Sequence, residues 1–215
     1  LAVRAIFEET RQQLTDQGYD VAPVIPIGIM IEVPSTVWIL PELLEAVDFV
    51  SVGTNDLVQY LLAVDRDNVL VSNLYDPHHP AVVRSLDVIA RAAQRAGKSA
   101  SVCGEMAGDE AVAVLLAGMG YDSLSVAPNF LAVLKFALRE TPHEEARSLA
   151  DAVLTAKSSK DVRALLDAKR DALRIAVLAS RDATSGELEP REKLAPEPGS
   201  SPGTLSARAR PADRP

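Results

Sequence analysis

Two rhythms of apolar residues alternate along the chain. Short, nearly continuous apolar runs at 25–33, 48–52, 99–103 and 122–126 have the length and β-branched content of buried strands. Between them apolar positions recur at helical spacing, as in Val3, Ile6, Phe7 and Leu14 before the first run and Leu57, Tyr60, Leu61 and Val64 after the second. The spacing predicts helices over 1–17, closed by Gly18, over 80–96, closed by Gly97, and over 109–119 and 129–139. Pro34-Ser35 stops the first strand, and two short helical pieces follow, the second opening at Pro41. Strand and helix alternation of this kind means an α/β fold with a parallel sheet and right-handed crossovers. Beyond it, Thr141-Pro142-His143-Glu144 has the form of a capping box and predicts a helix from Pro142. Ser158 or Ser159 with Asp161 marks another, running to about Ala179.

The tail has a different composition. After Gly186 stand six of the chain's 14 prolines, mixed with Ser, Gly, Ala and Arg, so 183–215 is expected to be disordered. Elsewhere the 215 residues are ordinary globular material, 47% hydrophobic and 24% charged, enough for one domain or part of a larger one. A net charge of −8 argues against a nucleic-acid partner and gives no reason to expect an anionic membrane surface, while leaving room for a small anion held by one local arginine. No apolar run is long enough to span a bilayer. The lone cysteine fits a reducing compartment, which places the protein in the cytoplasm. The chain opens at Leu1, inside an amphipathic helix, and reads as a fragment.

Candidate chemistry sits at the strand ends, which converge on one face in a βα barrel. Glu32 ends the first run without a basic neighbour in sequence, Asn55 and Asp56 stand where the second strand hands over to a helix, and Cys103 with Glu105 ends the third. Asp56 reads as an N-cap or as a ligand. Two converging carboxylates, Glu32 and Asp56, point to a hard divalent cation such as Mg2+, which prefers oxygen ligands and keeps positions open for water or substrate. Cys103 reads as a small core residue or as an acid. Adjacent His78 and His79 lack partners for a zinc set and read as loop packing. The Gly104 to Gly108 turn lacks the lysine of a phosphate loop. Trp38 and the methionines read as core, and Arg91, Arg95 and Lys98 as a solvated helix end.

Three motifs carry a resemblance. Gly53-Thr54-Asn55-Asp56-Leu57-Val58-Gln59-Tyr60 with Ala63-Val64-Asp65-Arg66 resembles the signature of the phosphoenolpyruvate-utilising enzymes. Gly28-Ile29-Met30-Ile31-Glu32-Val33-Pro34 and Cys103-Gly104-Glu105-Met106-Ala107-Gly108-Asp109 resemble that family's other two motifs, in the same order. The wording around Asp65 and Glu105, and Leu74 to Ala81, is similar to the phosphoenolpyruvate-protein phosphotransferase branch, enzyme I of the phosphotransferase system. Gly120-Tyr121 and Leu124-Ser125-Val126 lean to its nitrogen-related form. The likeness runs to about Leu166.

The resemblance implies the C-terminal half of a (β/α)8 TIM barrel, strands five to eight, over 1–140, with C-terminal helices over 141–182. It implies that Glu32 and Asp56 hold Mg2+, that Asn55, Asp56 and Arg66 bind phosphoenolpyruvate, and that Cys103 protonates the enolpyruvate carbon while phosphate leaves for a protein histidine. The implied partners are a phosphocarrier protein and, at full length, a second copy. The family's earlier barrel strands, with two further arginines, and its phosphohistidine domain are not in this sequence. The chain alone is therefore expected to be inactive, with bare strand edges and an exposed apolar face. The competing readings are a pyruvate-phosphate dikinase or phosphoenolpyruvate synthase, which would need a nucleotide, and a non-enzymatic half-barrel interaction module.

Overall fold

The computed structural model describes residues 2–186; the 187–215 part of the expected disordered tail lies outside them. The elements follow in the order α1 (Ala2–Asp16), β1 (Gly28–Ile31), α2 (Pro34–Trp38), α3 (Leu40–Ala46), β2 (Phe49–Gly53), α4 (Thr54–Leu62), α5 (Pro80–Arg95), β3 (Ser99–Cys103), α6 (Glu110–Met119), β4 (Ser123–Ser125), α7 (Leu131–Glu140), α8 (His143–Thr155) and α9 (Ser159–Gly186). Three 3-10 turns, Ser72–Leu74, Glu105–Gly108 and Pro128–Phe130, lie in the connections. All strands are parallel and lie in the sheet in chain order, β1-β2-β3-β4, the wall of a partial barrel.

The pleat divides this wall in two. Ile31, Val50, Val52, Ala100 and Val102 point to the helices and are fully or almost fully buried. There they meet Leu57, Val58, Leu86 and Ile89 of α4 and α5 in the main core. The opposite face carries Gly28, Met30, Phe49, Ser51, Ser99, Ser101, Cys103, Ser123 and Ser125. That corrects the expectation of an exposed apolar sheet face, since only Met30 and Phe49 are large and apolar there. Small side chains suit a barrel interior, where facing strands crowd one another. At Gly28 even a Cβ would collide with the Phe49 ring. Exposed apolar surface lies elsewhere, on α1 (Val3 is 72% exposed), at Trp38, and at Val69 and Leu70.

Local chemistry explains where the sequence-based boundaries shift. The 25–33 run pairs only over Gly28–Ile31, because Pro26 has no N–H to donate and the Asp48 carboxylate takes the N–H of Ile27 at 2.8 Å. Glu32 consequently stands one residue past the strand rather than inside it. Trp38 is not core but 84% exposed, and Met30 is 50% exposed, whereas Met106 and Met119 are buried. The capping box at Thr141 does not form: its hydroxyl donates back to Ala137 O at 2.8 Å, and α8 starts at His143 without a side-chain cap. Ser158 does cap α9, with Asp161 N donating to Ser158 Oγ at 3.2 Å, while the Ser158 hydroxyl itself donates to Asp161 Oδ2 at 2.7 Å.

Candidate functional site

Register sets the site. Ile31 pairs with Val52, Gly53 with Cys103, and Cys103 with Ser125, so one step beyond Ile31 brings Glu32 level with Gly53. Glu32, Gly53, Cys103 and Ser125 therefore form one row across the C-terminal ends of the strands, where βα folds place their chemistry. A Cβ on Gly53 would lie 3.1 Å from Glu32 Oε2 and 3.0 Å from Met30 Sδ, so the missing side chain makes room for the carboxylate. Glu32 is half-buried, and its carboxylate makes no ion pair or hydrogen bond among the described residues. Asp56, also half-buried, is equally unpaired. It does not cap α4: Gly53 holds the N-cap position with no side-chain bond, and Asp56 lies in the first turn.

Cys103 is half-buried on the same row. Its thiol donates to Val52 O at 3.4 Å, and Ser51 Oγ lies 4.0 Å from the sulfur. The backbone at this corner is fixed by Thr54, fully buried, whose hydroxyl donates to Cys103 O at 2.8 Å. Gly104 then turns the chain at φ +108°, against Thr54 Oγ1, where any side chain would be both strained and obstructed. That turn aims the N–H of Glu105 at Asn55 Oδ1, 3.0 Å away. Because Oδ1 accepts that bond, the amide is fixed and its NH2 is left to donate into the cleft. The Asn55 carbonyl accepts from Tyr75 Oη at 3.4 Å. Burial pushes the Tyr75 phenol above its usual value, although Arg66 nearby acts the other way, so it remains a donor.

The cleft beside these groups has a volume of about 370 Å³ and is lined by Asn55, Cys103, Glu105, Ser125 and Phe130, among others. Arg66 stands at its edge through Glu105, at 3.5 Å, with the Glu105 side chain 83% exposed. An open pair of that kind contributes little and leaves the guanidinium available to a better anion. The structure thus brings together Glu32, Cys103, Asn55 and, through Glu105, Arg66, with Asp56 one residue on from Asn55. Sequence reasoning missed Thr54, Tyr75, Ser125 and Phe130. Ser125 ends the fourth strand and Phe130 follows in its loop, so the strand-end rule applied to the other three strands would have found them.

The histidines pack loops, as expected. His79 Nδ1 accepts from Ala81 N at 3.1 Å, capping α5. Burial holds His78 toward its neutral form, with Asp76 opposing. Among the described residues no group of three or more His, Cys, Asp or Glu side chains could hold a metal ion by itself. The unpaired carboxylates of Glu32 and Asp56 have the oxygen-donor chemistry that a hard divalent cation takes. No helix among the described residues is long and apolar enough to cross a membrane.

Comparison with known proteins agrees with the family resemblance. Residues 1–142 match the family model described as PEP-utilising enzyme, PEP-binding domain. A relative from Escherichia coli (strain K12), named for the phosphoenolpyruvate-dependent phosphotransferase system, is 46% identical over 161 residues, covering 74% of this chain and 21% of its own length. Relatives named phosphoenolpyruvate-protein phosphotransferase are 40% identical over 153 residues in Enterococcus faecalis and 37% over 163 in Bacillus subtilis, covering 71% and 76% of this chain. The chain spans 27% and 29% of those two proteins, so it corresponds to a minor part of each. A solved citrate lyase from Burkholderia xenovorans overlays 84% of this chain and 59% of its own at 18% identity and a TM-score of 0.44, a likeness too distant to add to the family match. The chain belongs to the PEP-binding domain family of the PEP-utilising enzymes.

Proposed function

We propose that this chain is the metal- and substrate-holding part of a longer phosphoenolpyruvate-protein phosphotransferase, which moves the phosphoryl group of phosphoenolpyruvate to a protein histidine and releases pyruvate. The observation that carries the reading is the row of Glu32, Gly53, Cys103 and Ser125 beside the fixed Asn55 amide. The row supplies one unpaired carboxylate and a thiol, the thiol and the oriented amide line one cleft, and Asp56 follows Asn55 in the first turn of α4. Glu32 and Asp56 would hold Mg2+, which when bound supplies a compact positive charge beside the substrate's phosphoryl and carboxylate oxygens. Asn55 Nδ2 and the Arg66 guanidinium donate to those oxygens and orient them.

The bond between phosphorus and the enol oxygen breaks as the phosphoryl group passes to a histidine nitrogen. The enolate then takes the Cys103 proton at its methylene carbon, giving pyruvate and a thiolate that is reprotonated from water. The next acceptor is a phosphocarrier protein, and exposed Trp38, Val69 and Leu70 favour pairing with a second copy. The lone thiol of this chain supports a cytoplasmic location.

The test is the full-length protein with phosphoenolpyruvate and Mg2+, with and without nucleotide. Pyruvate with stoichiometric acid-labile phosphohistidine, without nucleotide, is the expected result. A nucleotide requirement would shift the assignment to a dikinase or synthase. Absence of pyruvate under both conditions would leave a non-enzymatic module.

A further inference from the structure

Helix α9 reaches across to both loops that carry the site. Its Val162 and Leu166 are buried in the main core and its Leu173 in a smaller one, which leaves Arg163 and Arg170, two turns apart, directed at the loops. Arg163 Nη2 lies 2.7 Å from Asp76 Oδ1. Asp76 belongs to the 66–79 connection, between Arg66 and α5, one residue after the Tyr75 that bonds Asn55. Arg170 Nη2 lies 2.7 Å from Asp109 Oδ2, and its Nε lies 3.7 Å from Glu110. Asp109 ends the 104–109 turn that carries Glu105, and its other oxygen caps α6 by accepting from Ala111 N and Val112 N at 2.9 and 3.0 Å. Asp167, one turn back on α9, braces the Arg170 guanidinium from the far side.

These contacts are better placed than ordinary surface pairs. The Asp76 side chain is 18% exposed against 52% for Arg163, and Arg170 is 20% exposed against 32% for Asp109, so each pair has one largely buried member. Burial pushes the Asp76 carboxyl up, but the Ser159 hydroxyl, the His78 N–H and Arg163 outweigh it and hold it below its usual value. Both loops have other anchors, Tyr75, Met106 and Ala107 on the main core and the Glu105 N–H on Asn55 Oδ1, but Arg163 and Arg170 are what ties Asp76 and Asp109 to α9. The 66–79 connection is mostly irregular and the 104–109 turn is a single 3-10 turn, so the α9 contacts add to the restraint on both.

We propose that Arg163 and Arg170 are positioning residues for phosphoenolpyruvate binding, strapping the Arg66 and Glu105 loops to α9. The strap sets where Arg66 and the Asn55 amide stand, without touching the substrate. The positioning role rests on the function proposed above; the strap itself does not.

The test uses Arg163→Gln and Arg170→Gln, with Arg163→Lys and Arg170→Lys as conservative variants. In the full-length protein, amide hydrogen exchange is expected to quicken about tenfold at 66–79 in Arg163→Gln and at 104–109 in Arg170→Gln, while slow exchange in α5 and α6 changes less than about twofold. The lysine variants should recover most of the protection. In the full-length protein KM for phosphoenolpyruvate should rise about tenfold with kcat within about threefold. Unchanged loop exchange, or α5 and α6 loosening as much as the loops, would overturn the strap. Freed loops with an unchanged KM would overturn the positioning role. A parent protein that does not turn over phosphoenolpyruvate would overturn the function proposal and the positioning role together, while the exchange measurement still decides the strap.

Discussion

Replacing Glu32 or Asp56 by Ala in the full-length protein is expected to lower kcat for phosphoryl transfer roughly 10³-fold or more, the several kcal/mol that a bound cation supplies to developing charge. Neither carboxylate supports the fold. Each is half-buried and unpaired among the described residues, so its removal relieves a desolvation cost rather than breaking a contact. The thermal midpoint should therefore hold or rise slightly. Glu32→Gln separates charge from shape: it keeps the volume beside Gly53 but removes the anionic ligand, and should be nearly as inactive as Glu32→Ala. Normal Mg2+ dependence in either alanine variant would remove that residue from the metal site.

Cys103→Ser should slow pyruvate formation about 10²- to 10⁴-fold while phosphoenolpyruvate binding stays within about threefold. A thiol is a far stronger acid than a serine hydroxyl, and at this position its proton points to Val52 O rather than being engaged in an ion pair. The substrate contacts assigned to Asn55 and Arg66 come from neighbouring elements and are untouched by the change. Retained binding with lost turnover separates a proton donor from a packing residue. A Cys103→Ser protein that forms pyruvate at the parent rate would return Cys103 to the sheet interior as a small side chain.

Much of the scaffold was legible because its signals are local. The β-branched runs, Gly97 closing α5 and the Ser158 cap each depend on residues a few positions apart, and each produces the expected element. Glu32, Asn55 and Cys103 were legible for a related reason: strand ends converge in βα folds whatever the remaining contacts. Trp38 was misread because apolar character does not specify burial. Thr141 was misread because its hydroxyl had a competing acceptor one turn back, at Ala137. The orientation of the Asn55 amide depends on an N–H fifty residues away, and the Arg170 strap on a carboxylate 61 residues away, so no local pattern announces them.

One measurement tests most directly whether metal, substrate and thiol share this site. The alkylation rate of Cys103 can be followed on its own peptide in the full-length protein. Phosphoenolpyruvate together with Mg2+ should slow that alkylation at least about tenfold, and neither alone should do so, nor should both in the Glu32→Ala variant. Alkylation at one rate with and without saturating phosphoenolpyruvate and Mg2+ would contradict the placement of the substrate beside Cys103.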